Sequence, residues 1–227
     1  MNVHSDWIAA VLKTPAEAPA DPTTEISPDS PADQRVAAIL AAARQAFAEK
    51  GFDGASMQDL ARAAGMSVGN FYRYFASKAA IVQALIAHDL AEMGHDFEAV
   101  LGSDDPIAAM RQQVRIKLVE HQCGHDGALW AEITATSLRK PEIGIACGHM
   151  ETAVAGYLSQ AFAKATGLTL EQTRKRFGAH AALMVMLVKS SAMMPQHDEQ
   201  MRSDLNALIL RIIDQTLDEV AASGAKG

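Results

Sequence analysis

Between Ser56 and Lys78 the chain has room for two short helices and almost nothing between them. Met57, Leu60, Ala61 and Ala64 recur at the i, i+3, i+4, i+7 spacing of an apolar helical stripe, and Ser56 with Asp59 has the form of a capping box. Gly65 can take the left-handed backbone that closes this helix, and Ser67 can cap another, so only Gly65 and Met66 separate Ala64 from the second cap. Two helices joined so tightly make a helix-turn-helix.

The second helix, about Val68 to Tyr74, divides its faces. Phe71 and Phe75 stand at i, i+4 and point one way, while Gly69 and Arg73 lie opposite, flanked by Asn70 and Tyr72. The missing side chain at Gly69 lets a phosphate approach the outward N–H groups of the helix start, where the dipole also favours an anion. Asn70 and Arg73 can hydrogen-bond base edges or phosphates, and the hydroxyls of Tyr72 and Tyr74 suit phosphate oxygens. The pattern is that of a surface that reads DNA.

Charge supports this once its distribution is considered. The formal net charge is -7, unfavourable for a polyanionic partner if spread evenly. From Gln34 to Ala80, however, Arg35, Arg44, Lys50, Arg62, Arg73 and Lys78 outnumber Glu49, Asp53 and Asp59, giving +3. Met1 to Asp33 holds Lys13 against Asp6, Glu17, Asp21, Glu25, Asp29 and Asp33, giving -5, and the remainder is -5 as well. Only the helix-turn-helix region is electropositive, which is where phosphate attraction is needed.

Phe47-Ala-Glu-Lys-Gly-Phe52, followed by Leu60-Ala-Arg-Ala-Ala-Gly-Met-Ser-Val-Gly-Asn-Phe-Tyr-Arg-Tyr-Phe-Ala-Ser-Lys78, resembles the DNA-binding domain of the TetR family of transcriptional regulators over roughly Arg35 to Leu85. The resemblance implies a dimeric regulator, most simply a repressor, that holds a palindromic operator in double-stranded DNA until a small-molecule effector binds the larger domain. It implies phosphate contacts from Arg35, Ser56, Tyr72, Tyr74 and Lys78, with Ser67 capping the reading helix at the backbone. Val68, Gly69, Asn70 and Arg73 would face the major groove, Val68 against a thymine methyl. The family often has a polar residue at the position of Val68.

The remaining sequence reads as all-α, about nine helices in total, with little period-two alternation and much Ala and Leu among 49% hydrophobic residues. Residues 1–32 form an acidic, Pro-rich tail expected to be disordered; with one cation it is a poor minor-groove arm. Residues 33–80 make the DNA-binding head, 81–222 a helical effector-binding and dimerisation body, and 223–227 a flexible end. The first helix runs from near Asp33 to Lys50 with Gly51 as its stop. Ser77 caps a long fourth helix, and Pro106 and Pro141 open later ones. Leu129, Trp130, Ile133 and Leu138 would be held inward by one of these. The last two helices, capped by Thr169 and begun at Asp198 or Glu199, are so broadly apolar that something must cover them on every side. A homodimer contact of four helices does this, and the resemblance implies the same pairing.

Met93, Phe97, Met110, Trp130, Ile133, Met150, Tyr157, Met184 and Met186 are the side chains from which a pocket in the middle helices would be drawn; taken singly, each reads first as core filling, and none is assigned as a ligand contact. Glu120, His121, Cys123, His125 and Asp126, with Cys147 and His149, carry zinc-type ligands. Three of them would need an irregular turn to converge, so no metal and no cofactor is expected. There is no Gly-rich phosphate loop and no His-Glu-x-x-His, and no enzyme is read. The longest apolar run, Ala179 to Val188, is too short to span a bilayer. With Cys123 and Cys147 read as reduced thiols and no secretory signal, the expected place is the cytoplasm. A competing reading is a TetR-like interaction protein whose larger domain binds another protein, with DNA as tether or co-signal.

Overall fold

The computed structural model describes residues 31–123, 126–194 and 198–224. The expected tail over 1–32 therefore lies almost wholly outside the described residues, as does the extreme C-terminus. Among the described residues there are nine helices and no strand: α1 (Pro31–Gly54), α2 (Met57–Ala63), α3 (Val68–Tyr74), α4 (Lys78–Gly102), α5 (Pro106–Cys123), α6 (Asp126–Ser137), α7 (Pro141–Thr166), α8 (Leu170–Ala192) and α9 (Glu199–Gly224).

Their ends follow from local chemistry. Ser56 accepts the Asp59 N–H while Asp59 accepts the Ser56 N–H, completing the capping box of α2. Ser67, Ser77 and Thr169 cap α3, α4 and α8 through their hydroxyls, and Gln172 returns the second bond to Thr169. Pro106 and Pro141 occupy first-turn positions where no N–H is missed. Gly51 interrupts α1 with φ 71 and ψ 168, and the chain then completes one more turn through Gly54. The expected stop is thus an elbow.

Two apolar cores divide the molecule. One gathers Ile39 and Phe47 of α1, Leu60 of α2, Phe71 of α3, Phe75, and Ile81 and Leu85 of α4; Leu129 and Ile133 of α6 and Ile143 of α7 are buried in it too. Phe71 is wholly buried, so truncation to Ala should cost about 3–5 kcal/mol. The other core holds Val100, Met110, Leu158, Phe162, Phe177, Met184, Ile209, Ile213, Leu217 and Val220. Helix α4 enters the first core at one end and the second at the other. The ammonium of Lys164 on α7 fixes its far end by donating to the carbonyls of Leu101 and Ser103, both at 2.6 Å. Arg111 on α5 bonds Asp214 on α9 at 2.7 Å, with Arg115 at 3.0 Å from the same carboxylate.

One further expectation changes. Leu138 follows the end of α6, has left its stripe, and is 86% exposed. Within this chain α8 and α9 are covered on one side only. Thr173, Phe177, Ala181 and Met184 face inward from α8, and Ile209, Ile213, Leu217 and Val220 from α9. Ala179, Ala182 and Met186 on α8, and Met201 and Leu208 on α9, are left exposed.

Candidate nucleic-acid interface and the adjoining cavity

Helix α3 is aimed by the turn before it. Gly65 at φ 64 lets the Met66 N–H reach the Ala61 carbonyl at 2.9 Å and its own N–H the Arg62 carbonyl at 3.0 Å, which closes α2 as a Schellman motif. Ser67 Oγ accepts the Asn70 N–H at 3.3 Å and starts α3 two residues later in the turn. Phe71 and Phe75, 6.3 Å apart, root the helix in the core.

Opposite them, Gly69, Asn70, Tyr72, Arg73 and Tyr74 are exposed together, with Tyr72 at 49%. Large exposed aromatics on a helix that already buries two others are unusual for packing alone and suit a bound partner. A Cβ built on Gly69 meets nothing within 4 Å. The chain's own packing therefore does not require that glycine. Val68 is half-buried and leans on the core, so it shows only part of its side chain on this face.

The remaining residues of the expected contact set lie around α3. Arg35 is exposed on α1. The Ser56 hydroxyl is engaged with Asp59, donating to its carboxylate at 2.5 Å. Asp59 is held well below the usual carboxylate range, first by the Lys50 ammonium at 2.8 Å and then by Ser56. Lys78 is half-buried, and its ammonium donates to the carbonyls of Phe52 at 2.5 Å and Asp53 at 3.3 Å while lying 4.8 Å from the centre of the Phe52 ring. Four of the ten residues, Ser56, Ser67, Val68 and Lys78, thus have work within the fold.

A cavity of about 520 Å³ opens between the head and the second core. Met93, Phe97, Met110, Trp130, Met150 and Met184 line it, as read from the sequence. Ile133 does not: it is turned into the first core. Tyr157 stacks on Phe97 at 5.3 Å behind the wall, and Met186 is 56% exposed. The sequence reading missed the charged part of the lining. Arg44 is ion-paired to Asp89, Lys117 stands 3.1 Å from Asp96, and Lys189 stands 2.5 Å from Glu151, each pair joining two helices at the cavity wall. Glu92 adds a fourth carboxylate, and His88 lies 3.8 Å from Asp89 and 3.9 Å from Glu92. On amphipathic helices such residues are spaced like any solvent-facing charge, so no sequence signal marks them.

Among the described residues, His88, Asp89 and Glu92 are the group whose ligand atoms could share a metal, all within 4.8 Å of one another. The guanidinium of Arg44 already pairs with Asp89 of this group. The side chains from Glu120 to Asp126 lie outside the described residues. Cys147 is on the cavity wall, where burial pushes its thiol up and away from thiolate chemistry, and His149 is exposed. No helix among the described residues is long and apolar enough to cross a membrane.

Residues 39–85 match the model of a family described as bacterial regulatory proteins, tetR family. The HTH-type transcriptional regulator UidR of Escherichia coli K12 is 29% identical over 126 residues, covering 54% of this chain and 61% of UidR. The chain thus spans about three-fifths of that relative's length. EthR of Mycolicibacterium smegmatis is 38% identical over 86 residues, 37% of this chain and 40% of EthR. Salmonella enterica GusR has a similar structure, with a TM-score of 0.68 and 21% identity over 86% of this chain and all of GusR. AibR, solved with isovaleryl coenzyme A and operator DNA, superposes with a TM-score of 0.60 at 17% identity, over 79% of this chain and 98% of AibR.

Proposed function

We propose that this chain, which belongs to the TetR family of transcriptional regulators, is a repressor that binds a palindromic operator as a homodimer and lets go when a small molecule enters the cavity. The carrying observation is the exposed face of α3, where Gly69, Asn70, Tyr72, Arg73 and Tyr74 stand together on a helix anchored from behind. Relatives of this kind are DNA-binding regulators and not enzymes.

Residues 33–80 are the proposed head. Arg35, Ser56, Tyr72, Tyr74 and Lys78 contact phosphates, Ser67 presents the helix start, and Val68, Gly69, Asn70 and Arg73 meet the major groove. Residues 81–222 form the proposed effector and dimer body. The outward faces of α8 and α9, with Met186, Met201 and Leu208 exposed, support a twofold contact through these helices. Two heads so related suit half-sites ~34–36 Å apart or a multiple of it. Function on chromosomal DNA makes the cytoplasm the proposed compartment.

The cavity also bears on the effector. Its wall is more apolar than polar, with Val and Met its commonest residues, and its carboxylates, Asp89, Glu92, Asp96 and Glu151, exceed its fixed cations, Arg44, Lys117 and Lys189. A mainly apolar, neutral molecule fits this wall better than a polyphosphate such as the coenzyme A thioester held by AibR. An effector favouring the released state by ~1–3 kcal/mol would shift operator affinity about 5- to 150-fold.

The deciding experiment is fluorescence anisotropy on duplexes tiled across the DNA upstream of the gene, at ~50 to 200 mM salt, with Tyr72→Ala and Arg73→Ala. One tile bound far more tightly than the rest, with affinity lost in Tyr72→Ala and preference lost in Arg73→Ala, is expected. Uniformly weak binding indifferent to both substitutions would refute the reading. The exposed faces of α8 and α9 would then favour the alternative, a TetR-like protein whose body binds a protein partner.

A further inference from the structure

Helix α6 stands between the cavity and the head. Gly127, Trp130 and Thr134 line the cavity from one side of it, while Leu129 and Ile133 are buried in the core that roots the reading helix. Glu132 leaves α6 on the side away from the cavity. Its Oε1 accepts the Phe52 N–H at 2.9 Å. That N–H comes from the elbow: with Gly51 at ψ 168 the backbone departs from helical geometry there, and Phe52 is itself buried. An unmet N–H at such a place is costly, so the carboxylate has a definite task. From the other side Lys78 holds the Phe52 carbonyl, and the Lys140 ammonium, just after α6, stands 5.3 Å from the Phe52 ring.

We propose that Glu132 is the positioning residue that sets the angle of the DNA-reading head against the wall of the cavity. The path is short. A shift of Trp130 or Thr134 moves the same rigid helix that carries Glu132, and Glu132 holds the main chain of the elbow rather than a flexible side chain. Head orientation and cavity shape are thereby two readings of one helix position. The proposal rests on the head being a DNA reader only for its consequence; the joint itself is testable without DNA.

The test uses the full chain with Trp7→Phe, which leaves Trp130 as the sole tryptophan. In the absence of DNA, hydrogen exchange over residues 47–55 should accelerate about tenfold in Glu132→Ala and much less in Glu132→Gln, whose amide oxygen still accepts. Unchanged exchange in the folded Ala variant overturns the proposal whether or not DNA binds. With the tightest-binding upstream duplex, acrylamide quenching of Trp130 should change on binding in the parent and in Glu132→Gln. In Glu132→Ala that response should vanish while the duplex is still bound. A parent protein that binds duplex with no change at Trp130, or an Ala variant that keeps the response, also overturns it. Failure of every duplex to bind counts against the operator reading and leaves the exchange measurement to decide this one.

Discussion

The Lys78 ammonium lies 2.5 Å from the Phe52 carbonyl oxygen, so a lysine in the first turn of α4 closes the end of α1. A lysine serving phosphate alone would be free of the fold; this one also donates to Asp53 and covers the Phe52 ring. Lys78→Ala should therefore weaken all duplexes alike and also destabilise the DNA-free protein by about 1.5–3 kcal/mol, the range of a charged hydrogen bond. At this size that corresponds to a Tm lower by about 3–12 °C. A thermal melt without DNA checks it, and an unchanged Tm would return Lys78 to a purely phosphate role.

His88 should make the stability of the fold depend on pH. The adjacent Asp89 carboxylate, with Glu92 adding, raises its pKa above the ordinary 6.5, against the opposing effects of burial and of Arg44. A raised value means that the folded state holds the proton more tightly than the unfolded chain. The stabilisation is then fully present below 6.5 and is lost as the pH climbs through the raised value. Tm differences between the parent and His88→Gln, measured across pH, should be largest on the acid side of 6.5 and shrink toward alkali. A gap that widens with pH would contradict this. Solvent screening at this half-exposed site keeps the effect small.

Much of this was legible, and the division has a physical basis. Caps, stripes and turns are chemistry between residues three or four apart, so Ser56 with Asp59, Ser67, Gly65 and Thr169 announced their helices, and Phe71 with Phe75 announced the buried face of α3. The TetR resemblance of the head and the all-helical fold followed from the same local signals. Glu132 and Phe52 are 80 residues apart, and nothing in the sequence distinguishes that glutamate from any other on an amphipathic helix. The ion pairs around the cavity were invisible for the same reason. Leu138 misled because periodicity continues on paper past the point where the helix ends.

The proposed dimer face makes a sharp demand on Leu208. It is 45% exposed on α9, in a line with Met201, Leu205 and Ile212 that flanks the buried residues of that helix. Twofold symmetry would bury the exposed part of it twice, at roughly 0.7–1.4 kcal/mol for each copy, and a carboxylate in its place adds the cost of burying charge. Leu208→Glu should raise the dimer dissociation constant by roughly 100-fold or more with little change in helical content. Sedimentation velocity over a dilution series measures this directly. A variant that sediments like the parent at every concentration places the contact elsewhere.

Gly69 separates function from stability more cleanly than any other residue of the head. It lies in the first turn of α3, its side-chain position faces open space, and its φ is not positive, so the fold alone would accept alanine. Alanine is the better helix former by up to about 1 kcal/mol. Gly69→Ala should therefore keep the Tm or raise it by about 2–4 °C. On the proposed interface the same methyl group stands between a phosphate and the N–H groups at the start of α3, and binding to every duplex should fall by roughly tenfold. Loss of stability and binding together would mean that the glycine serves the fold. Gain of the one with loss of the other requires that something outside this chain approaches the helix at that point.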